Sequence, residues 1–234
     1  MKPKYSYCVF YDDTLEQSKT AIDTNIKLLE MAGLNYELVI LNYPYKKNVD
    51  EIIKKHYAKA IESGKVNFYQ NERPQRFQAS HPLNLLCKAA QGEVLILNTN
   101  HTILNAYFIS KLIKTKPDNI LVSNKITEIT EKLLVIGKQV FDQMRGFDES
   151  LMKDGVATPY SDFIRRCFVN GVNFDLLFFK KIFFTPFTLE SNTHDKTLFN
   201  HIDSYITSRK LQVNTEGFGR SSLLQNFSKI LLVH

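Results

Sequence analysis

Apolar runs and polar punctuation alternate regularly through the first hundred residues. Ser6 to Phe10 is a short β-favouring run and predicts a strand. Leu15 to Ala32 sets Ile22, Ile26 and Leu29 at helical spacing, and Gly33 stops that helix. Tyr36 to Leu41 predicts a second strand. Val49 to Ser63 predicts a second helix, with Ile53, Tyr57, Ala60 and Ile61 on one face and Gly64 closing it. Val66 to Tyr69 reads as a third strand, Leu83 to Ala90 as a helix, and Val94 to Leu97 as a fourth strand. The unbroken apolar run Val94-Leu95-Ile96-Leu97 indicates burial on both faces. This β-α-β-α-β-α-β rhythm with short connections predicts an α/β fold, a mostly parallel sheet flanked by helices.

The second half is less regular. Asn105 to Lys114 predicts a helix, Ile120 to Asn124 an extended segment and Leu133 to Ile136 a short strand. Lys138 to Met144 predicts a helix ending near Gly146. Ser161 to Asn170 predicts another, with Ile164, Cys167 and Phe168 facing inward and Gly171 as its stop. Phe174 to Phe187 is dense in phenylalanine around Lys180-Lys181 and predicts a buried strand plus one exposed turn. Lys196 to Lys210 predicts one more helix. No repeat or linker divides the chain, so the expectation is a single domain over 1–210 with a tail, 211–234, packing on it or extending it. Within that tail, Asn214 to Gly219 holds two glycines, which suit either close approach to a ligand or a simple turn.

At 234 residues the chain is long enough to bury one large α/β core. The net charge of +6 fits either a basic surface or attraction to an anion such as a nucleotide diphosphate or an anionic lipid. With no zinc-type spacing, Arg-rich arm or dense basic run, nucleic acid is not an expected partner. No apolar run approaches the ~18–20 residues of a membrane-spanning helix, and the first residues lack a signal-peptide core. Cys8, Cys87 and Cys167 are too widely spaced for a metal or disulfide framework. A cytoplasmic location is expected.

In open α/β sheets the ligand crevice lies beyond the carboxyl ends of the strands. Asn98-Thr99-Asn100, followed by His101, stands at that position on the fourth predicted strand. Two readings are open: the amides face a ligand, or they end a strand and make a turn.

The order of these signals resembles a family-2-type glycosyltransferase with the GT-A fold, over about Tyr7 to Tyr205. The first strand leads into Tyr11-Asp12, and the second ends at Asn42, where the family commonly has a base-holding Asp. Ser80-His81-Pro82-Leu83-Asn84, then Ala90-Gln91-Gly92-Glu93, then Asn98-Thr99-Asn100 is similar to the family's polar loop, helix and strand with a terminal Asp-x-Asp. The most specific stretch is Ile136-Gly137-Lys138-Gln139-Val140-Phe141, then Gly146-Phe147-Asp148-Glu149, then Asp162-Phe163 with Arg166 and Gly171. The resemblance implies a nucleotide-sugar donor, with Tyr11, Asp12, Asn42, Asn84, Asn98 and Asn100 around it. It also implies a glycan or lipid-linked acceptor.

Two departures shape what the resemblance implies. Mg²⁺ and Mn²⁺ prefer anionic oxygen ligands, and Asn98 and Asn100 supply only amides. That leaves either a weak metal site, with Asn100 and His194 as its ligands, or a metal-free site. In the latter, Arg73, Arg76 and Lys88 are candidates to meet the diphosphate, since guanidinium forks match phosphate oxygens. Pro159 and Tyr160 occupy the place of the family's acidic pair. The nearest carboxylates for a general base in an inverting transfer are then Asp162 and, second, Asp154. A helix N-terminal acid is the plain alternative for Asp162, and loop ordering for Asp148 and Glu149. The phenylalanines around Lys180-Lys181 raise peripheral membrane contact as an expectation. The competing function is a non-catalytic GT-A-like protein that binds a nucleotide, a glycan or a partner. A nucleotidyltransferase would want a Gly-rich phosphate loop after the first strand, and Tyr11-Asp12-Asp13-Thr14 contains no glycine.

Overall fold

The computed structural model describes residues 2–10, 15–43, 45–71, 80–98, 102–123, 133–150, 159–177, 213–214, 217–227 and 229–233. The first half follows the predicted rhythm: β1 (Tyr5–Phe10), α1 (Leu15–Met31), β2 (Tyr36–Asn42), α2 (Lys47–Glu62), β3 (Val66–Asn71), α3 (Ser80–Ala89) and β4 (Val94–Leu97). After it come α4 (Ala106–Leu112), β5 (Asn119–Ser123), β6 (Leu134–Gly137), α5 (Lys138–Gln143), α6 (Pro159–Val169), β7 (Asn173–Leu177), β8 (Ser221–Gln225) and β9 (Lys229–Val233). The predicted helix at 196–210 lies outside the described residues.

Among the described residues the strands form one nine-stranded sheet in the order β7-β5-β6-β4-β1-β2-β3-β8-β9. Only β6 and β8 run against the other seven, so the sheet is mixed but mostly parallel. Side chains alternate across it, as strand geometry requires. Tyr5, Tyr7 and Val9 of β1 join Leu38, Ile40, Phe68 and Ile96 under α1, α2 and α4. Cys8, Val39, Leu41, Leu95 and Leu97 face the other way, against α3, α5 and α6. This is the single α/β layer arrangement that the pattern predicts.

Two features differ from the sequence reading. Phe168 is 74% exposed, whereas Ile164 and Cys167 are buried. Residue 168 falls only about 40° round the helix from 164, so the exposure of Phe168, shared by Val169, marks where the last turn of α6 leaves the core. The C-terminal hairpin is the second difference. β8 pairs antiparallel with β3, and Asn226 and Phe227 turn the chain at φ 51° and 68°. Asn226 is held to β3 by a reciprocal pair: its backbone N–H donates to the Phe68 carbonyl (2.8 Å), and its Oδ1 accepts from the Phe68 N–H (2.8 Å). The sequence does carry a signal for this turn, because an asparagine tolerates positive φ between two strand-like runs.

Strand order fixes where a ligand can sit. The chain moves outward through β1, β2 and β3, then returns to the far side of β1 as β4. The neighbouring tips of β1 and β4 therefore form a topological switch point, the expected crevice of such sheets.

Candidate functional site

Buried amide side chains recur near these strand ends. Asn98 follows β4 directly, and its N–H continues the ladder to the Cys8 carbonyl (3.0 Å). Its side chain is fully buried on the α1 face. Nδ2 donates to the Tyr7 hydroxyl (3.0 Å) and the Thr102 carbonyl (2.7 Å), while Oδ1 accepts from the Thr102 N–H (2.9 Å). A primary amide matches a peptide group donor for acceptor, and here it closes the loop that follows the strand. Asn25 of α1 reinforces it, donating to the Tyr7 hydroxyl (2.8 Å) and the Thr102 carbonyl (2.8 Å) and accepting from the Leu104 N–H (2.7 Å). Burial pushes the Tyr7 phenol above its ordinary range, so it stays neutral.

Asn42 repeats the device at the end of β2. Its Nδ2 donates to the Lys46 carbonyl (2.8 Å) and Asp50 Oδ1 (3.3 Å), and its Oδ1 accepts from the Lys46 N–H (3.0 Å). Asn84 does the same from the middle of α3. It accepts from the Phe147 N–H (2.8 Å) and donates to the Phe147 carbonyl (2.9 Å) and Glu149 Oε1 (2.8 Å). That same Glu149 oxygen accepts from the Gly219 N–H (2.7 Å), which ties in the C-terminal strap. Gly219 of that strap thus allows close approach to the chain's own helix α3, while Gly217 lies against Arg220. Gly146 shows how tight the junction is, since at φ 67° an added Cβ would lie 2.5 Å from Asn84 Oδ1.

Asp162 lies in the first turn of α6, its side chain 1% exposed. Oδ2 accepts from Arg166 Nε (2.7 Å), and Oδ1 lies 3.4 Å from Arg165 Nη2. The wholly buried Arg166 also donates to the Met144 carbonyl (2.6 Å) and the Gly146 carbonyl (2.7 Å). This ion pair therefore staples α6 to the Gly146 turn. Asp148 Oδ1 accepts from the Ser150 N–H (2.8 Å) and hydroxyl (2.7 Å), so Asp148 and Glu149 both order the loop, the role expected of them.

The structure thus brings Asn84 and the Asp162–Arg166 pair together around the Gly146 turn, and sets Asn98 and Asn42 at the ends of the two strands that flank β1. Each of these polar side chains is turned to protein partners. Lys88 lies in the last turn of α3, one turn on from Asn84 and beside Gly219, with its ammonium 4.2 Å from the Phe218 ring centre. Desolvation holds its pKa below the ordinary lysine value. Tyr11, Asp12, Arg73, Arg76, Asn100, His101, Asp154 and His194, with Phe178 to Phe187, lie outside the described residues. Sequence reasoning missed Tyr7, Asn25 and Thr102; a tyrosine and an asparagine on otherwise apolar faces were the available signal.

Among the described residues, no three of His, Cys, Asp and Glu converge as metal ligands. With the Asn98 amide engaged as well, these residues do not by themselves fit a divalent-cation site. No described helix is long and apolar enough to cross a membrane.

No family model matches the chain, and no curated protein matches it. Solved structures do. Glucosyl-3-phosphoglycerate synthase from Mycobacterium tuberculosis, in complex with phosphoglyceric acid, superposes with a TM-score of 0.55 at 12% identity, over 89% of this chain and 81% of that one. Its complex with uridine diphosphate gives 0.54 at 10% identity, over 89% and 82%. The catalytic domain of Drosophila β1,4-galactosyltransferase 7 gives 0.46 at 14% identity, over 82% and 68%. At such identities the likeness speaks to the fold: the sheet and its flanking helices are those of the GT-A glycosyltransferases.

Proposed function

We propose that this protein is a glycosyltransferase that moves a sugar from a nucleotide-sugar to a hydroxyl acceptor, with inversion, in polysaccharide or glycoconjugate synthesis. The observation that carries the reading is the switch point between β1 and β4 in a GT-A sheet. The mycobacterial synthase of the same fold was solved with uridine diphosphate. In this reading Asn98 and Asn42 are positioning residues that set the loops after β4 and β2. Asn100, Tyr11 and Asp12 contact the donor. Arg73 and Arg76 take the diphosphate charge as it leaves, which supplies without a metal what a cation would neutralise. In the alternative, metal-dependent form of this reading, Asn100 and His194 would hold Mg²⁺ or Mn²⁺, which would supply positive charge at the diphosphate. Both Asp162 oxygens lie against arginines, so the proton of the attacking hydroxyl is assigned to Asp154. The acceptor is a glycan or a lipid-linked glycan, and the Phe178–Phe187 segment is proposed to bring the enzyme to a membrane surface.

The second reading is a GT-A domain that binds nucleotide or glycan without transfer. The closed hydrogen bonding of Asn98 and Asp162 favours it. Calorimetric titration with UDP and GDP, with and without Mn²⁺, followed by assay of nucleotide-sugar hydrolysis, separates the two. Binding with hydrolysis is the result expected of the enzyme. Binding without hydrolysis supports the second reading, and no nucleotide binding removes the first.

A further inference from the structure

Helices α4 and α6 cover opposite faces of the sheet, yet both finish at the same corner of it. β5 follows α4 and β7 follows α6, and the two strands pair in parallel with Asn119 level with Asn173. The turn into β5 is closed by the Asn119 N–H on the Lys116 carbonyl (3.1 Å), and the turn into β7 by the Gly171 N–H on the Phe168 carbonyl (3.1 Å). Both helix ends therefore stand at the amino ends of these strands. The β1–β4 crevice lies at the carboxyl ends, so the corner is remote from it.

The corner is apolar where a solvated turn is ordinarily polar. Phe168 is 74% exposed, Ile113 50% and Val169 44%. The Phe168 ring leans on Phe174 of β7, with ring centres 6.3 Å apart. Lys111, Lys114 and Lys116 flank Ile113, and the acids beside them are Asp118 and Asp175, the latter bonded to Asn119 Nδ2 at 3.2 Å. The local balance is cationic, in a chain that carries +6 overall. Lysines complement the carbonyl end of a helix, but that does not account for the exposed apolar groups among them. Lysine stems lie along apolar surface while their ammonium groups stay wet. Apolar side chains set among such lysines are the chemistry of a protein resting on an anionic bilayer. Here they project from turns on both faces of the sheet, and a fluid lipid surface takes them without a matching shape. We infer that this corner docks on an anionic lipid surface. Phe168, Val169 and Ile113 enter the boundary between headgroups and acyl chains, and Lys111, Lys114 and Lys116 meet the phosphates. The docking needs neither sugar transfer nor the segment that begins at Phe178, beyond the other end of β7.

Vesicle co-sedimentation of the full chain tests this, with no nucleotide present. Vesicles of equimolar phosphatidylcholine and phosphatidylglycerol are set against vesicles of phosphatidylcholine alone. The wild type should bind the anionic vesicles saturably, about tenfold or more tighter than the neutral ones, and less tightly as salt rises. Phe168→Ser with Ile113→Ser, and separately Lys114→Glu with Lys116→Glu, should each weaken that binding about fivefold or more. Lys54→Glu with Lys55→Glu changes the net charge equally on the exposed face of α2, and should weaken it less. Every substituted side chain is exposed, so all three variants should melt with the wild type. The inference is overturned if the wild type binds neither vesicle or both alike, or if either corner variant falls short of that loss. It is overturned too if the α2 variant loses as much as the Lys114 and Lys116 pair, since charge alone would then drive binding. Because the vesicle and UDP titrations are independent, this inference and the transferase reading can each fail while the other stands.

Discussion

Asn98 and Gln70 are both buried amides near the carboxyl ends of parallel strands on one face of the sheet, and their surroundings differ completely. The Thr102 peptide, four positions on, lies against the Asn98 side chain, so the amide is engaged at both ends. Gln70 lies beside Asn42 and Leu224 in register, and Asn42 is already bonded to Lys46, so Gln70 keeps an unpaired oxygen. Position at a strand tip therefore does not make a polar residue face a ligand. What decides is whether the local chain supplies a peptide group of matching donors and acceptors.

The largest test of this contrast is at the most fully engaged group. Arg166→Met leaves Asp162 buried beside only Arg165, and should cost about 3–5 kcal/mol, read as a fall in the urea midpoint. An unchanged midpoint would mean that the staple to the Gly146 turn does not hold the fold. Asn98→Asp restores the acid of the resembled family, yet it should destabilise by about 2–3 kcal/mol at pH 7 without adding Mn²⁺ affinity. The carboxylate would be dry and set against the Thr102 carbonyl, so its folded pKa would rise above the unfolded value of about 3.9. Stability is then lost as pH rises through that window, so the melting gap to the wild type should be wider at pH 7 than at pH 4. A flat gap would place residue 98 in contact with solvent.

Gln70→Met is the opposite case, with melting expected at or slightly above the wild type, by up to ~1 kcal/mol. A loss of more than that would show that the Gln70 amide is bonded as fully as that of Asn98. The smallest effect concerns the sealed α3 face. Burial pushes the Cys87 and Cys167 thiols up to about 12, and raises Cys8 as well. The native protein should resist Ellman's reagent at pH 8 and react at all three thiols in urea. Prompt native labelling would show that this layer opens.

The alternating first half was legible because β1, β2 and β4 carry apolar runs, unbroken at Val94–Leu97, and α1 and α2 each have one apolar stripe. The Asp162–Arg166 spacing was equally plain, as an i, i+4 pair on a helix. Its role was not, because whether such a pair serves a ligand or a neighbouring turn depends on what packs over it. Here that is the Met144–Gly146 turn. The direction of the Asn98 side chain was hidden for the same reason, since it rests on Tyr7, 91 residues away. Asn84 and Gly219 are likewise joined through Glu149, 65 and 70 residues from it in the chain.

The central claim is that a nucleotide diphosphate occupies the crevice between the tips of β1 and β4. The direct measurement is a UDP and GDP titration of ¹⁵N-labelled protein, followed by amide shift changes. Saturable shifts concentrated at Phe10, Asn98 and Thr102, with Gln70 and Phe227 unmoved, are expected. Saturable shifts centred elsewhere, or none with either nucleotide, would contradict it.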